Sequence, residues 1–365
     1  MRVLYICPVK DNKIFFTSYE GKQYSCNPKY IYRVLMNDSK LKFVYEYNDK
    51  QHAPEEICKR AVVVRHNSFQ YFYELLTSKV IISNSGITAK VPLRRNQVLI
   101  NTWHAGGAYK KVGKDIASEV NGSDTFFIDI STKQTTYFLS SSLAFSNGTA
   151  KAVGIPENKL LKFGMPRNDI LINDSKNEKM AIGKMVRAAL GLSEGELFVL
   201  YAPTFRKNED IWIEPVDEKM VLSALEERFG SRWRFVFRGH YHGKDRTGFG
   251  IDATNYPDMQ ELLISADALI TDYSSSIWDF SFTDKPGFLY VPDLKEYRKE
   301  RDFYCPIDRW PYPIAENNME LKNNILQFDK EIQIKKNDKH HRELHSYEDG
   351  HGTENIVKLI KTYIE

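Results

Sequence analysis

Short apolar runs of strand length recur along the chain and alternate with stretches that have helical spacing. Each run is rich in β-branched or aromatic residues, and most are followed by a polar or glycine-containing turn. This alternation is typical of strands that are buried on both faces of a parallel sheet. The sequence therefore predicts an α/β fold. The clearest runs are KIFFTSY, AVVVRH, KVIIS, QVLINTW, DTFFIDI, LFVLYAP, RFVFRGH, DALITDY and PGFLYVP.

The length of the chain predicts two lobes. Its 365 residues exceed a typical domain of about 150 residues, and a hydrophobic content of 42% is enough for full cores. A polar stretch after GMPRNDILIN places the boundary near residue 175. Ile356 and Ile360 lie at helical spacing, which predicts a final packing helix. We expect a first lobe over residues 1–175, a second over 176–345, and a helical segment over 346–365 that packs back toward the first.

The near-neutral net charge of +3 hides a difference between the two predicted lobes. Residues 1–175 hold 24 Lys/Arg and 15 Asp/Glu, a formal charge of +9, whereas residues 176–365 hold 27 and 33, a charge of −6. This polarity suggests that the first lobe meets an anionic partner, although surface charge can also vary between lobes without function. The small total argues against a nucleic-acid-binding protein.

Several classes of site and of protein find no support in the sequence. The four cysteines form no CxxC pair, and no His/Cys cluster has metal-ligand spacing, so we expect neither a metal site nor an obligatory cofactor. The P-loop, the G-x-G-x-x-G fingerprint and the G-x-S-x-G elbow are absent. The chain has no standard signal peptide and no run of about 18 apolar residues, which predicts that it does not span a membrane.

Three consecutive serines follow the strand-like run that ends at Thr271-Asp272. Helical spacing resumes at once in SIWDFSF, so Ser274, Ser275 and Ser276 are predicted at a helix N-terminus beyond the carboxyl end of a strand. Free backbone N–H groups and short hydroxyls in this position can hold a phosphate. The alternative is that the serines only cap the helix.

A second candidate lies in the segment NTWHAGGAYKK. A predicted strand delivers His104, whose imidazole can take a proton from a hydroxyl near neutral pH. Gly106 and Gly107 allow a ligand to approach the backbone, and Lys110 follows on a predicted helix. A histidine next to a tryptophan can also be purely structural.

A third candidate set follows two further strand-like runs. Arg206 in YAPTFR and Arg238 in RFVFRGH could each bind phosphate oxygens through the guanidinium fork. His240 lies two residues after Arg238 and could donate a hydrogen bond to the same group. The alternative for both arginines is a surface salt bridge.

The order of these motifs resembles that of the CDP-glycerol glycerophosphotransferases, the teichoic acid primases and polymerases. The signature is TDYSS followed by a helix, DKP and an EYxxxRxFY stretch, present here over residues 267–307. SYEGKQYSCNPKYIY, TWHAGGAYKK, GMPRND, YAPTFR, RGH and YEDGHGTENI are similar to further motifs of the family. The resemblance spans nearly the whole chain. Two positions depart from the usual pattern: His104 is followed by Ala105-Gly106-Gly107, and His240 is followed by Tyr241.

The resemblance implies a GT-B architecture, with two Rossmann-like lobes and a cleft between them. The implied reaction moves glycerol phosphate, or a related polyol phosphate, from CDP-glycerol or another CDP-polyol to a hydroxyl of a lipid-linked or polyol-phosphate acceptor. CMP is released, and the product is a teichoic acid or a phosphate-containing capsule. The implied location is the cytoplasmic face of the cell membrane, where the basic lobe would meet anionic lipid.

The resemblance also implies roles for individual residues. His104 would be the general base and His240 would stabilise the leaving group, and the acceptor would lie near Gly106, Gly107 and Lys110. The implied donor-binding residues are Thr204, Arg206, Arg238, Thr271, Asp272, Ser274, Ser275 and Ser276. Three alternatives stay open: a ribitolphosphotransferase that uses CDP-ribitol, a GT-B glycosyltransferase that uses a nucleotide sugar, and a non-catalytic binding protein.

Overall fold

The chain divides into two compact units, each built from non-contiguous parts of the sequence. The division at Asp169 lies six residues before the position predicted near residue 175. A computed structural model of the protein describes residues 2–87, 91–116, 122–204, 214–239 and 250–364. The first unit comprises Met1–Gly106, Val112–Asp169 and Ser346–Glu365, and the second comprises Gly107–Lys111 and Ile170–His345.

The folded units differ less in charge than the two sequence halves. The first unit holds 24 Lys/Arg and 18 Asp/Glu, a formal charge of +6, and the second holds 27 and 30, a charge of −3. The difference shrinks because Ser346–Glu365 adds acidic residues to the first unit, while Gly107–Lys111 takes two lysines to the second. The first unit nevertheless remains the basic one.

The first unit contains a seven-stranded parallel sheet in the order β3-β2-β1-β4-β5-β6-β7. Its first six strands have the doubly wound order 3-2-1-4-5-6 of a Rossmann unit. The direction of winding reverses between β1 and β4, which are hydrogen-bonded neighbours. The strands are β1 Lys10–Thr17, β2 Lys42–Glu46, β3 Ala61–Val64, β4 Ser78–Ser83, β5 Val98–Asn101, β6 Tyr137–Ser140 and β7 Leu160–Lys162.

Strand β1 shows why this sheet has continuous apolar runs. Successive side chains of a strand point to opposite faces, and helices cover both faces here. Ile14 and Phe16 pack into the core on one face, whereas Phe15 packs into a separate core on the other, and all three are fully buried. The helices of this unit are α1 Cys26–Leu35, α2 Glu55–Cys58, α3 Phe69–Leu76, α4 Gly122–Gln134, α5 Leu143–Phe145 and, at the end of the chain, α14 Gly352–Ile364.

The C-terminal helix α14 belongs to the first unit. Its buried residues Ile356 and Ile360 join the same core as Ile14 and Phe16. A Cβ atom on Gly352 would lie 2.3 Å from the carbonyl oxygen of Gly164, so only glycine allows this close approach at the start of the helix.

One run that the sequence predicts as a strand forms a helix instead. The segment DTFFIDI lies within α4, and Phe126 is 59% exposed. A short apolar run with no period-2 alternation cannot be assigned to a strand by pattern alone, so the prediction here was wrong. The neighbouring run Tyr137–Ser140 takes the next place in the sheet, beside β5.

The second unit contains a six-stranded parallel sheet in the order β10-β9-β8-β11-β12-β13, which again is the doubly wound order. The predicted α/β fold of two Rossmann-like units is confirmed. Val199, Phe235 and Ile270 lie at the centre of its core. The strands are β8 Leu197–Ala202, β9 Trp233–Phe237, β10 Ile251–Asp252, β11 Ala268–Thr271, β12 Gly287–Tyr290 and β13 Ile314–Ala315.

The helices between α5 and α14 accompany this second sheet. Helix α6 begins at Asp169, the last residue of the first unit before the division. Among the described helices, none has both the length and the apolarity needed to cross a membrane. The helices are α6 Asp169–Ile172, α7 Lys176–Ala189, α8 Glu218–Phe229, α9 Met259–Ser265, α10 Ser276–Phe280, α11 Leu294–Glu300, α12 Asn318–Leu326 and α13 Lys330–Glu343.

Candidate active site

His104 follows β5, beside the point between β1 and β4 where the winding of the first sheet reverses. In doubly wound folds, ligands bind at this point, beyond the carboxyl ends of the strands. Strands β1, β4 and β5 are neighbours, and the residues that follow them include Tyr19, Asn84 and His104. The register pairs Thr17 with Ser83, so the ends of β1 and β4 are level.

Asn84 fixes the tautomer of the His104 ring. The Nδ1 atom of His104 lies 2.8 Å from the backbone carbonyl oxygen of Asn84. A carbonyl oxygen can only accept a hydrogen bond, so Nδ1 carries the proton in this contact. In the neutral ring, Nε2 is therefore the unprotonated nitrogen, as a general base requires.

Two aromatic rings hold the imidazole. The Trp103 ring stacks on it with centroids 4.8 Å apart at 21°, and the Tyr19 ring lies 5.6 Å away in a tilted arrangement. Trp103 adopts a φ of 53°, in the left-handed region that side chains other than glycine rarely occupy. The backbone N–H of Trp103 donates to Oδ1 of Asn101 at 3.0 Å. Such backbone strain persists only where neighbouring contacts hold it in place.

The second sheet has a comparable arrangement at its own reversal, between β8 and β11. The carboxylate of Asp272, the first residue after β11, accepts hydrogen bonds from the Thr204 N–H at 2.8 and 2.9 Å and from Thr204 Oγ1 at 2.7 Å. It also accepts from the Tyr273 N–H at 2.6 Å. Asp272 thus ties together the loops that follow β8 and β11.

The two reversal points use equivalent positions. Asn84 is the first residue after β4, and its Oδ1 accepts from the N–H of Tyr19, two residues after β1, at 2.8 Å. Asp272 is the first residue after β11 and accepts from the N–H of Thr204, two residues after β8. In each unit, one polar side chain after the fourth strand fixes the loop after the first.

The three serines lie at the N-terminus of the short helix α10, as the sequence predicts: Ser276 is its first residue and Ser275 its N-cap residue. Ser274 Oγ accepts from the Ser276 N–H at 3.2 Å and from Ser276 Oγ at 3.0 Å. Thr271, in contrast, is fully buried and donates its hydroxyl proton to the Ala202 carbonyl at 2.6 Å. The hydroxyl of Thr271 is therefore engaged within the sheet, whereas a phosphate site at the serines stays a prediction.

Of the predicted phosphate-binding cations, only one can be placed. Arg238 follows β9, and its backbone N–H pairs with the carbonyl of Tyr201 at 2.8 Å. Its side chain lies beside α9, with NH1 3.4 Å from Met259 Sδ. Arg206 and His240 lie outside the described residues.

The residues predicted on the acceptor side divide between the two units. Gly106 belongs to the first unit, but Gly107 and Lys110 belong to the second. Lys110 is not helical and forms an antiparallel bridge with Phe303. Gly107 has a φ of +77°, and a Cβ atom there would lie 2.6 Å from the Tyr109 ring and 3.0 Å from the Trp278 indole, so backbone conformation and close packing within the second unit explain this glycine.

Aromatic packing explains why the segment after the serines has its characteristic residues. The ring of Tyr273 stacks on that of Tyr297 with centroids 3.7 Å apart, and its hydroxyl donates to Asp293 at 2.9 Å. Phe303 stacks on Tyr297 with centroids 5.8 Å apart. The aromatic residues of the EYxxxRxFY stretch therefore support the loop that carries the serines.

Local sequence patterns give little indication of several contacts in the structure. Asn84 and Tyr19 follow strands at the carboxyl edge, which is a weak signal for a site. The Tyr109 hydroxyl lies 2.8 Å from His340 Nε2, across 231 positions of the chain, and no local pattern indicates such a pair. Among the described residues, no group of three or more His, Cys, Asp or Glu side chains is arranged to hold a metal ion.

Comparison with known proteins gives a family match over almost the whole chain. The model of the family "CDP-Glycerol:Poly(glycerophosphate) glycerophosphotransferase" matches residues 1–362. A teichoic acid poly(glycerol phosphate) polymerase of Bacillus spizizenii is 29% identical over 327 residues, which are 84% of this chain and 81% of that protein. A teichoic acid ribitol-phosphate primase of the same organism is 28% identical over 370 residues, which are 98% and 93% of the two chains.

A solved structure of the wall teichoic acid polymerase TagF is similar to the whole fold. It superposes with a TM-score of 0.84 at 27% sequence identity and covers 98% of this chain and 90% of that one.

His340 and His341, which pack against Trp278, predict a pH-dependent stability. Burial lowers the pKa of His340 from 6.5 to about 4 and that of His341 to about 3. Well above pH 6.5 both rings are neutral whether the chain is folded or not. Below it, only the unfolded chain binds the protons, so the free energy of unfolding should fall by up to about 1.4 kcal/mol per pH unit for each histidine.

Urea denaturation between pH 7.5 and 5.0 would measure this decline. His340→Gln should show a shallower decline than the wild type, whereas His52→Gln, which changes a 79% exposed side chain, should keep it. An equal decline in the wild type and in His340→Gln would contradict the assignment.

Proposed function

Because the chain belongs to the CDP-glycerol:poly(glycerophosphate) glycerophosphotransferase family, we propose that it transfers glycerol phosphate from CDP-glycerol to a hydroxyl of a polymer or lipid-linked acceptor in teichoic acid synthesis. The observation that carries this proposal is the position of His104. Its unprotonated Nε2 belongs to a ring that is held by Asn84 at the reversal of a Rossmann sheet.

The proposed reaction is a single displacement at phosphorus. The acceptor oxygen forms a bond to the phosphorus that carries glycerol, and the bond from that phosphorus to the oxygen shared with CMP breaks. Nε2 of His104 takes the proton of the acceptor hydroxyl as the new bond forms. The electron pair of the broken bond leaves with CMP. Such transfer depends chiefly on alignment and on neutralisation of the phosphate charge.

We propose that the second unit binds the CDP donor. Ser274, Ser275 and Ser276 follow the strand at the reversal of its sheet, and Asp272 fixes the loop that carries them. Arg238 would contribute positive charge to the phosphates. Arg206 and His240 are proposed for the same set on the resemblance alone. The first unit would bind the acceptor and supply the base.

Ribitol phosphate is the second candidate group to be transferred. The ribitol-phosphate primase of Bacillus spizizenii aligns with 98% of this chain, and the glycerol-phosphate polymerase of that organism has nearly the same identity. The two polyols share the CDP group and the phosphate that is attacked. They differ in the number of hydroxyl-bearing carbons beyond that phosphate, so the donor must be tested directly.

CMP release tests the proposed function. We expect the protein to release CMP from CDP-glycerol when a lipid-linked acceptor is present, and chromatography of the nucleotides would measure it. His104→Ala should lower turnover by at least about 100-fold because the base is lost. His52→Ala, which alters an exposed ring in the same unit, should keep wild-type turnover.

Parallel reactions with CDP-ribitol and with a nucleotide sugar identify the donor. If CMP is released from CDP-ribitol but not from CDP-glycerol, the transferred group is ribitol phosphate. Release of a nucleoside diphosphate from the nucleotide sugar, without CMP from either CDP-polyol, would contradict the proposal.

We further propose that the first unit binds the surface of an anionic membrane. The unit carries a formal charge of +6, and Ile6 and Phe69 are 82% and 75% exposed on segments that contact each other. Each nearby cation contributes about 1 kcal/mol to binding of an anionic leaflet, and exposed apolar side chains add to it.

Co-sedimentation with vesicles tests this surface. We expect binding to phosphatidylglycerol vesicles that weakens with salt, and weak binding to phosphatidylcholine vesicles. Ile6→Asp and Phe69→Asp should reduce binding, whereas Met180→Asp, a change at a 60% exposed apolar residue of the second unit, should not. Equal binding to both kinds of vesicle would contradict a role for anionic lipid.

A further inference from the structure

The backbone that carries His104 is held by two other segments of the first unit. One is the start of α1, and the other is the segment GMPRND, which precedes the division between the units. Asn27, which is fully buried, donates from Nδ2 to the carbonyls of Thr102 and Trp103 at 3.2 and 3.1 Å. Its Oδ1 accepts from the backbone N–H of Arg167 at 3.1 Å.

Arg167 contacts the backbone of His104 directly. Its NH1 donates to the carbonyl oxygen of His104 at 2.6 Å and lies 3.3 Å from Cys26 Sγ. The side chain is buried, with only 4% of the residue exposed. A buried guanidinium is costly unless its donors are used, and here one of them is used on the residue that carries the base.

The segment that carries Arg167 is itself fixed from the C-terminal end of the chain. The carboxylate of Glu348 accepts from the Met165 N–H at 2.8 Å and from Asn168 Nδ2 at 3.0 Å. The carboxylate of Asp169 accepts from the N–H groups of Gly352 and Thr353 at 2.9 and 2.7 Å. These four bonds flank Arg167 on both sides, so its backbone has little freedom to move.

We propose that Arg167 is a positioning residue for the reaction, which rests on the proposed role of His104. Trp103 is held in left-handed backbone geometry, so the turn relaxes unless it is restrained on both sides. Asn84 restrains the ring of His104 at Nδ1, and Arg167 restrains the backbone carbonyl of His104. Together they fix the direction of Nε2. A misplacement of about 1 Å can lower a rate by about 100-fold.

Substitution of Arg167 tests this role. Arg167→Met removes the guanidinium but keeps the hydrogen bond from the backbone N–H of residue 167 to Asn27 Oδ1. Arg167→Lys keeps a buried cation that can donate hydrogen bonds. We expect kcat for CMP release to fall by about 100-fold in Arg167→Met and by about 10-fold in Arg167→Lys, with KM for CDP-glycerol unchanged. Arg94→Lys is the matched control, because Arg94 in the same unit donates to the Leu4 carbonyl at 2.8 Å. Its kcat should stay at the wild-type value.

Hydrogen exchange gives a readout that does not need activity. Amides of the peptide spanning Thr102–Gly106 should exchange faster in Arg167→Met than in the wild type, while peptides of the core strands stay protected. Wild-type kcat in both Arg167 variants, or unchanged exchange in that peptide, would overturn the proposal. If wild-type protein releases no CMP, the proposed function fails, and the exchange result still decides whether Arg167 holds the turn.

Discussion

Reversal of strand order within a doubly wound sheet is the constraint on which this molecule depends. Connections leave in opposite directions at that point, so the loops after the two central strands diverge and leave room for a ligand. The chain has two such points, between β1 and β4 and between β8 and β11. The predicted histidine, arginine, threonine, aspartate and serine residues that the structure describes end a strand at one of these points or beside it, or lie in the segment that follows such a strand.

Both reversal points use the same device to hold diverging loops. A polar side chain directly after the fourth strand accepts the N–H of the residue two positions after the first strand: Asn84 accepts from Tyr19, and Asp272 accepts from Thr204. The difference in chemistry follows from the rest of each loop. In the first unit, the backbone of Asn84 also sets the tautomer of His104. In the second, the carboxylate of Asp272 fixes the start of the serine loop through Tyr273.

The sequence predicts what local periodicity and strand ends encode, and it fails where contacts link distant segments. Strands such as Lys10–Thr17 and Ala268–Thr271 are evident from their apolar runs, and His104 and the serines lie after strands as expected.

The segment DTFFIDI was predicted as a strand but is a helix, because a short apolar run does not distinguish the periodicity of a strand from that of a helix. Gly107 and Lys110 were expected on the acceptor side, yet packing on Trp278 and pairing with Phe303 place them in the second unit. No pattern indicates that Arg167 reaches the carbonyl of His104 across 63 positions.

The protonation state of the His104 ring is the most direct test of this account, because the proposed base is defined by which ring nitrogen carries no proton. ¹⁵N NMR of histidine-labelled protein at a pH where the ring is neutral distinguishes the two tautomers, and the resonances of His104 can be assigned by their loss in His104→Gln. The account predicts a protonated Nδ1 and an unprotonated Nε2, as the 2.8 Å contact with the Asn84 carbonyl requires. A neutral ring with its proton on Nε2 would contradict it.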